Sequence, residues 1–276
     1  MITAEIMGGL GNQMHIIFTL ISYSLTNKVA FYFENKVPDM GSRKVVYWEN
    51  MFKNFARFLK QPVKEQARIK EKNINYTPLP KPLPNTRIKL FGYFQSPKYY
   101  DNQKENILRL MKFNEICQEY KDIYNYENII SLHFRLGDYK SLQDYHPIMP
   151  ITYYEEGLKN VISNTNNDNW QVLYFCEDED IEYIECQIEY LKEKIPTVTF
   201  LRALSSLHDW EQMIVMSLCK HNIIANSTFS WWSAYLNCNE DKIVICPSTL
   251  HGKKANLTIN LEDRYPDSWT ILNVNI

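Results

Sequence analysis

The run SLHFRLGDYK, residues 131–140, holds an imidazole, a guanidinium and a carboxylate within six positions: His133, Arg135 and Asp138. An arginine at a strand end can clamp a phosphate bidentately, a histidine can donate a hydrogen bond or move a proton, and Asp138 can serve as a general base. The same spacing also allows a structural Arg135–Asp138 ion pair. A second group is the glycine run Gly8, Gly9 and Gly11, notable in a chain with only 8 glycines. Glycine at a strand-to-helix turn lets the backbone approach a ligand closely, and the helix that follows offers free N–H groups to an anion. Asn12 and Gln13 stand ready as side-chain donors, although a tight structural turn would use the same residues. The run is neither G-x-G-x-x-G nor a P-loop, so its spacing names no ligand.

A third group is Asn226, Ser227 and Thr228 at the head of FSWWSAYL. Small hydroxyl residues there cap a helix, and the same groups bind phosphate or ribose. Trp231 and Trp232 read as core. The fourth group is Glu177, Asp178, Glu179 and Asp180 after VLYFC. It can be mistaken for a D-x-D metal motif. It is also what the positive end of a helix dipole favours, and one of its carboxylates can accept paired hydrogen bonds from a guanine edge.

These residues need elements to hold them. Ile2 to Met7 reads as a strand, Asn12 to Thr26 as a helix and Val29 to Phe33 as a strand, a βαβ opening. Residues 34–100 carry little pattern. YTPLPKPLPN, residues 76–85, must be extended chain or loop, and Ile88 to Phe91 is a strand before GYFQSPKYY. The second half alternates more regularly. Strands are expected at Ile129–Phe134, Gln171–Phe175, Thr197–Leu201, Asn222–Ala225 and Ile243–Cys246. Helices are expected at Thr152–Ser163, Asp180–Lys194, Asp209–Lys220 and Ser230–Leu236. That alternation signals a doubly wound parallel α/β sheet, whose ligands lie beyond the carboxyl ends of the strands.

Bulk composition narrows the field. The 276 residues correspond to about two domains. Lys+Arg 30 against Asp+Glu 32 gives a net charge of -2, which leaves no basic field for nucleic acid. The six cysteines contain no C-x-x-C pair, so a zinc ribbon or a thioredoxin-type site is not expected. Cys176, Cys219 and Cys246 read as small core hydrophobes. The apolar N-terminus lacks a basic n-region and a cleavage site, and no stretch reaches the ~20 apolar residues of a spanning helix. The sequence reading is therefore a cytoplasmic protein in a reducing compartment.

GGLGNQM, GYFQSPKYY, HFRLGDY and MSLCKHNIIANSTFSWWSAYLN, in this order along the whole chain, together resemble the galactoside α-1,2-fucosyltransferases of glycosyltransferase family 11. The resemblance implies a GT-B fold, two facing Rossmann-like domains with doubly wound parallel sheets. Residues 1–125 would form an acceptor-side domain that brings the glycine loop to the donor, and residues 126–276 a GDP-fucose-binding domain. It implies GDP-β-L-fucose as donor, a galactose-terminated glycan as acceptor, inversion to an α-1,2-fucoside, and no essential metal or other cofactor. Peripheral contact with a membrane through lipid-linked acceptors would be compatible with it.

By the same resemblance, Gly9, Leu10, Gly11 and Asn12 approach the diphosphate. His133 and Arg135 form the donor-binding pair, with Arg135 on the β-phosphate. Asp178, with Glu177 second, reads guanine, and Ser227, Thr228 and Phe229 wrap the phosphates and nucleoside. Arg135, His133 and Asp138 are the catalytic candidates, Asp138 as base by position and His133 after it, although so good a leaving group can dispense with a base. Three positions depart from the pattern. Leu136 replaces a second arginine of many relatives, Ser233 a glycine, and Gln212 a frequent acid. Two other readings remain open: a GDP-fucose-dependent transferase of another linkage or acceptor, and a non-catalytic nucleotide- or glycan-binding module.

Overall fold

The computed structural model describes residues 1–36, 45–165, 167 and 169–274. The chain forms two compact units, Met1–Gln118 with Ile259–Pro266, and Glu119–Thr258 with Asp267–Ile276. The division thus falls before the expected 125/126 boundary, and a short carboxyl-terminal segment returns to the first unit. Side-chain bonds explain the return. Asn260 N–H donates to Asn75 Oδ1 at 2.8 Å, Lys98 Nζ lies 2.7 Å from Asp263 Oδ1, and the Arg264 guanidinium is bonded to Gln95.

In the first unit β1 (Ile2–Ala4) leads through the glycine turn into α1 (Leu10–Asn27), then β2 (Phe33–Glu34), β3 (Leu59–Lys60), β4 (Ala67–Lys70) and β5 (Ile88–Phe91), with α2 (Lys104–Met111) and α3 (Phe113–Gln118) closing it. A three-stranded parallel sheet runs β1-β5-β4, and β2 pairs in parallel with β3. The βαβ opening is present, but β1 stops at Ala4 and the next strand shrinks to β2 plus an Ile2–Phe31 bridge. β3 and β4 were not legible. β4 reads ARIK, with only alternate half-burial and no apolar run to mark it. The segment 76–85 is free of helix and strand, as its prolines require. Almost every residue of α1 from Leu10 to Ser24 is buried, which makes it the core helix of this unit.

The second unit orders β6 (Ile129–His133), α4 (Ile151–Ser163), β7 (Gln171–Phe175), α5 (Ile181–Lys194), β8 (Thr199–Arg202), α6 (Asp209–Leu218), β9 (His221–Ile223), α7 (Thr228–Leu236), β10 (Val244–Pro247) and β11 (Thr270–Leu272). All its strand pairs are parallel, in the order β11-β10-β9-β6-β7-β8. Counting these strands by sequence from β6 as the first, the order is 3-2-1-4-5-6, the doubly wound dinucleotide-binding arrangement. β6 is buried along its whole length and β7 from Val172 to Phe175, as expected where helices cover both faces of a parallel sheet. The core gathers Leu132, Leu158, Val172, Ile184, Leu191 and Ile245, each essentially inaccessible. Among the described residues no helix is long and apolar enough to cross a membrane.

Candidate donor-binding site

In a sheet of this order the crevice opens where the winding reverses, between β6 and β9. The two motifs singled out by their chemistry, HFRLGDY and ANSTF, follow these two strands. Across the switch point Ser131 on β6 is paired with Asn222 on β9. The buried Asn222 amide donates to Ser131 Oγ at 2.7 Å and to the Met216 carbonyl at 2.8 Å, and Asn237 Nδ2 donates to Asn222 Oδ1 at 2.7 Å. This network ties the two strands and the helix ends behind them into one rigid floor.

β6 ends at His133, so Arg135 lies in the loop beyond the strand. His133 is buried, with its ring 5.5 Å from that of Phe229 and its carbonyl accepting from Tyr154 at 3.1 Å. Burial, reinforced by the Arg135 charge, pushes its pKa down to about 3. It is therefore a neutral imidazole at ordinary pH, and its buried Nδ1 has no hydrogen-bond partner among the described residues. A group this weakly basic suits a hydrogen bond to a ligand better than proton removal.

Arg135 is held from three sides. Its guanidinium pairs with Asp138 and with Glu177, the residue two beyond β7, and lies 4.6 Å above the Tyr139 ring. Tyr139 in turn stacks on His146, ring centroids 4.9 Å apart. The ion pair that the sequence offered as an alternative is thus present, with Glu177 as a second carboxylate. Gly137 makes the turn at φ +47, and a Cβ there would come within 2.7 Å of Glu177 Oε2 and 2.9 Å of Arg135 Nη1. Its N–H donates to the buried Asp180 at 2.9 Å, and Asp180 also pairs with Lys140.

The acidic run therefore divides its work. Asp180 locks the turn, Glu177 meets Arg135, and Asp178 pairs with Arg202 at the end of β8. Arg202 was not anticipated, because the residues around it carry no motif. A cleft at the ends of β7 and β8 is lined by residues that include Cys176, Asp178, Arg202, Ser205 and Gln212. Cys176 is half-buried, lining this wall while packing against the core cluster, and burial raises its thiol pKa to about 11.

Past β9, Ser227 caps α7, its hydroxyl accepting from Phe229 N–H at 3.3 Å, and Thr228 and Phe229 start the helix half-buried. Trp231 and Trp232 are core, as expected. Leu136 is packed into the hydrophobic cluster of this unit, where an arginine would lose its water.

The glycine loop belongs to the first unit. Gly8 has φ +76, and Gly9 stands at the N-cap of α1 with no side-chain cap. That leaves Leu10, Gly11 and Asn12 in an uncapped first turn whose N–H groups carry partial positive charge. Gln13 is not a free donor. Its buried amide donates to the Gly8 carbonyl at 3.0 Å and to the Val45 carbonyl at 2.7 Å, stapling the loop.

The sequence matches the glycosyl transferase family 11 model over residues 3–273. It is 33% identical over 193 residues to the O-antigen biosynthesis glycosyltransferase WbnK of Escherichia coli, covering 65% of this chain and 59% of that protein. An alpha-1,2-colitosyltransferase of Escherichia coli is 27% identical over 188 residues, 66% of this chain and 61% of the relative. The matched segment thus spans about three fifths of each relative's own length. The solved structure of NodZ alpha-1,6-fucosyltransferase soaked with GDP-fucose gives a TM-score of 0.50 at 11% identity, over 85% of this chain and 92% of NodZ. The same scores of 0.50 and 11% hold for NodZ from Bradyrhizobium. At that identity the likeness concerns the fold, a GT-B type built from two Rossmann-like α/β domains. With a family match that runs from β1 to beyond β11, the chain belongs to glycosyl transferase family 11.

Proposed function

We propose that the protein transfers L-fucose from GDP-β-L-fucose to the 2-hydroxyl of a terminal β-galactoside, with inversion to an α-1,2-fucoside. The first unit carries the acceptor side and the glycine loop, and the second binds the nucleotide. The observation that carries this reading is Arg135 at the switch point of a 3-2-1-4-5-6 sheet, beside a cleft whose wall presents Asp178. As the C1–O bond of the donor breaks, negative charge grows on the diphosphate. Arg135 and the N–H groups of the glycine-loop turn are the groups suited to stabilise it. The neutral His133 donates a hydrogen bond, Asp178 accepts from the guanine edge, and Ser227 to Phe229 line the phosphates and nucleoside. The galactose 2-hydroxyl attacks C1 from the face opposite the leaving group. Asp138 is the candidate to receive its proton late, and no metal ion is required for charge neutralisation.

A second donor is favoured by the likeness to an alpha-1,2-colitosyltransferase. Colitose lacks the 3-hydroxyl of fucose, and the residues assigned here to nucleotide and phosphates do not distinguish the two sugars. The deciding experiment incubates the protein with GDP-fucose or GDP-colitose and with lactose or N-acetyllactosamine, in the presence of chelator. Product mass and NMR linkage are read out. An α-1,2-fucosylated galactoside formed without metal is the expected result. Exclusive use of GDP-colitose moves the donor assignment, and failure to bind any guanine nucleotide removes the reading.

A further inference from the structure

GYFQSPKYY, residues 92–100, has no role in the chemistry above, yet it touches the glycine loop. Gln95 Nε2 donates to Asn12 Oδ1 at 2.6 Å. On its other side Gln95 is held by Arg264, which donates from Nη2 to Gln95 Oε1 at 2.5 Å and from Nη1 to the Gln95 carbonyl. Arg264 is only 7% exposed. It lies on the returning segment Ile259–Pro266, which Asp263 anchors through Lys98 and the Tyr76 N–H.

The donor and acceptor inventory of this row has one solution. A guanidinium carries only donors, so the group facing it must be the oxygen of Gln95. The Gln95 NH2 is then forced toward Asn12, and the atom of Asn12 that meets it must be its oxygen. What remains of the Asn12 amide is its NH2. Nδ2 sits above Gly8, where a Cβ would come within 2.7 Å of it, and it donates to no atom among the described residues. Asn12 itself is half-buried.

We propose that Arg264 is a positioning residue that, through Gln95, sets the orientation of the Asn12 amide so that the glycine loop presents an N–H donor to the anionic diphosphate. Without a donor-only group behind it, the row could reverse. Asn12 would then turn its carbonyl oxygen toward a dianion. The inference rests on the donor-binding role of the glycine loop proposed above.

Gln95→Glu is the sharpest test, because it reverses the row while retaining its packing. The carboxylate pairs with Arg264, and its second oxygen can only accept, so Asn12 must donate to it and present Oδ1 outward. Binding of GDP and of guanosine to the full chain is measured by calorimetry, with thermal unfolding of each variant alongside. The expected result is a Kd for GDP weakened by about 10- to 100-fold, the scale of a lost charge-assisted hydrogen bond replaced by a repulsive contact. The midpoint of unfolding should be no lower than that of wild type, and guanosine, which has no phosphates, should bind both proteins alike. Arg264→Lys, still a donor-only cation, should retain GDP binding within a few-fold, whereas Arg264→Gln, able to accept, should not.

Wild-type affinity for GDP in Gln95→Glu overturns the relay, as does an equal loss for GDP and guanosine. If Gln95→Glu does not fold, the Lys and Gln variants at position 264 decide, and equal GDP affinity in both overturns it. Failure of the wild-type chain to bind GDP is a separate outcome. It removes the donor reading and the relay with it.

Discussion

Arg135 enters the resting site already neutralised, between Asp138 and Glu177 and over Tyr139. In the proposed donor site a diphosphate would compete with these carboxylates for Arg135. Arg135→Ala should lower kcat/KM by on the order of 10²-fold or more, the usual worth of a donor aimed at developing charge. Unchanged turnover in a folded variant would take Arg135 out of the mechanism. Glu177→Gln separates two roles. If Glu177 competes for Arg135, GDP binding tightens by about five-fold, the equivalent of an exposed ion pair of roughly 1 kcal/mol. Weaker binding instead would make Glu177 a reader of guanine. His133, with its pKa near 3, is uncharged throughout the physiological range, so a kcat/KM–pH profile between pH 5 and 8 should carry no inflection that His133→Gln abolishes.

At the scale of elements, side-chain amides hold the ends of β6 and β9 in register. Asn222, fully buried on β9, bonds to Ser131 on β6 and accepts from Asn237 behind α7. Asn222→Ala should cost about 1–3 kcal/mol, because it removes the buried hydrogen bonds that the Asn222 amide makes with Ser131, Met216 and Asn237. Denaturant titration reads this as a lower midpoint at unchanged slope, and no shift would show that the network contributes nothing. Sequence periodicity reached most of these elements. Apolar runs marked β7 and β10, and alternation with helices indicated the parallel sheet. It did not reach β3, β4 or β11, which are short, partly exposed and lie in polar or proline-rich surroundings. Their pairing comes from neighbours far along the chain, as in Ala67 opposite Ile88 and Ile245 opposite Thr270.

For the molecule as a whole, buried imidazoles set the response to acid. His221 is pushed down to about 4 and His133 to about 3 by burial, and His15 falls well below its ordinary value for the same reason, with Arg264 adding to it. His221 Nδ1 accepts from the Ile243 N–H at 2.9 Å, a bond that exists only in the neutral form. An unfolded histidine titrates near ~6.5. Below that pH the unfolded chain binds protons that the folded chain refuses, so stability declines as pH falls from about 6.5 toward the folded values. The unfolding temperature at fixed ionic strength should therefore be lower at pH 5.0 than at pH 7.5. His221→Gln should shallow that slope, and an identical slope would remove His221 from the cause.

Residue types in order were enough to establish the α/β class, the glycine turn, the HFRLGDY and ANSTF strand ends and the family resemblance. Each of these is encoded locally, in a period, a turn residue or a contiguous motif. Tertiary structure decided what those residues touch. It brought Glu177 to Arg135, Arg202 to Asp178 and Asp180 to the Gly137 N–H, splitting one acidic run between the loop after β6 and the end of β8. It also returned Arg264 to Gln95, 169 positions earlier in the chain. Contacts of that kind depend on how strands are ordered in a sheet and where a chain end is docked, and a linear pattern carries no signal for either.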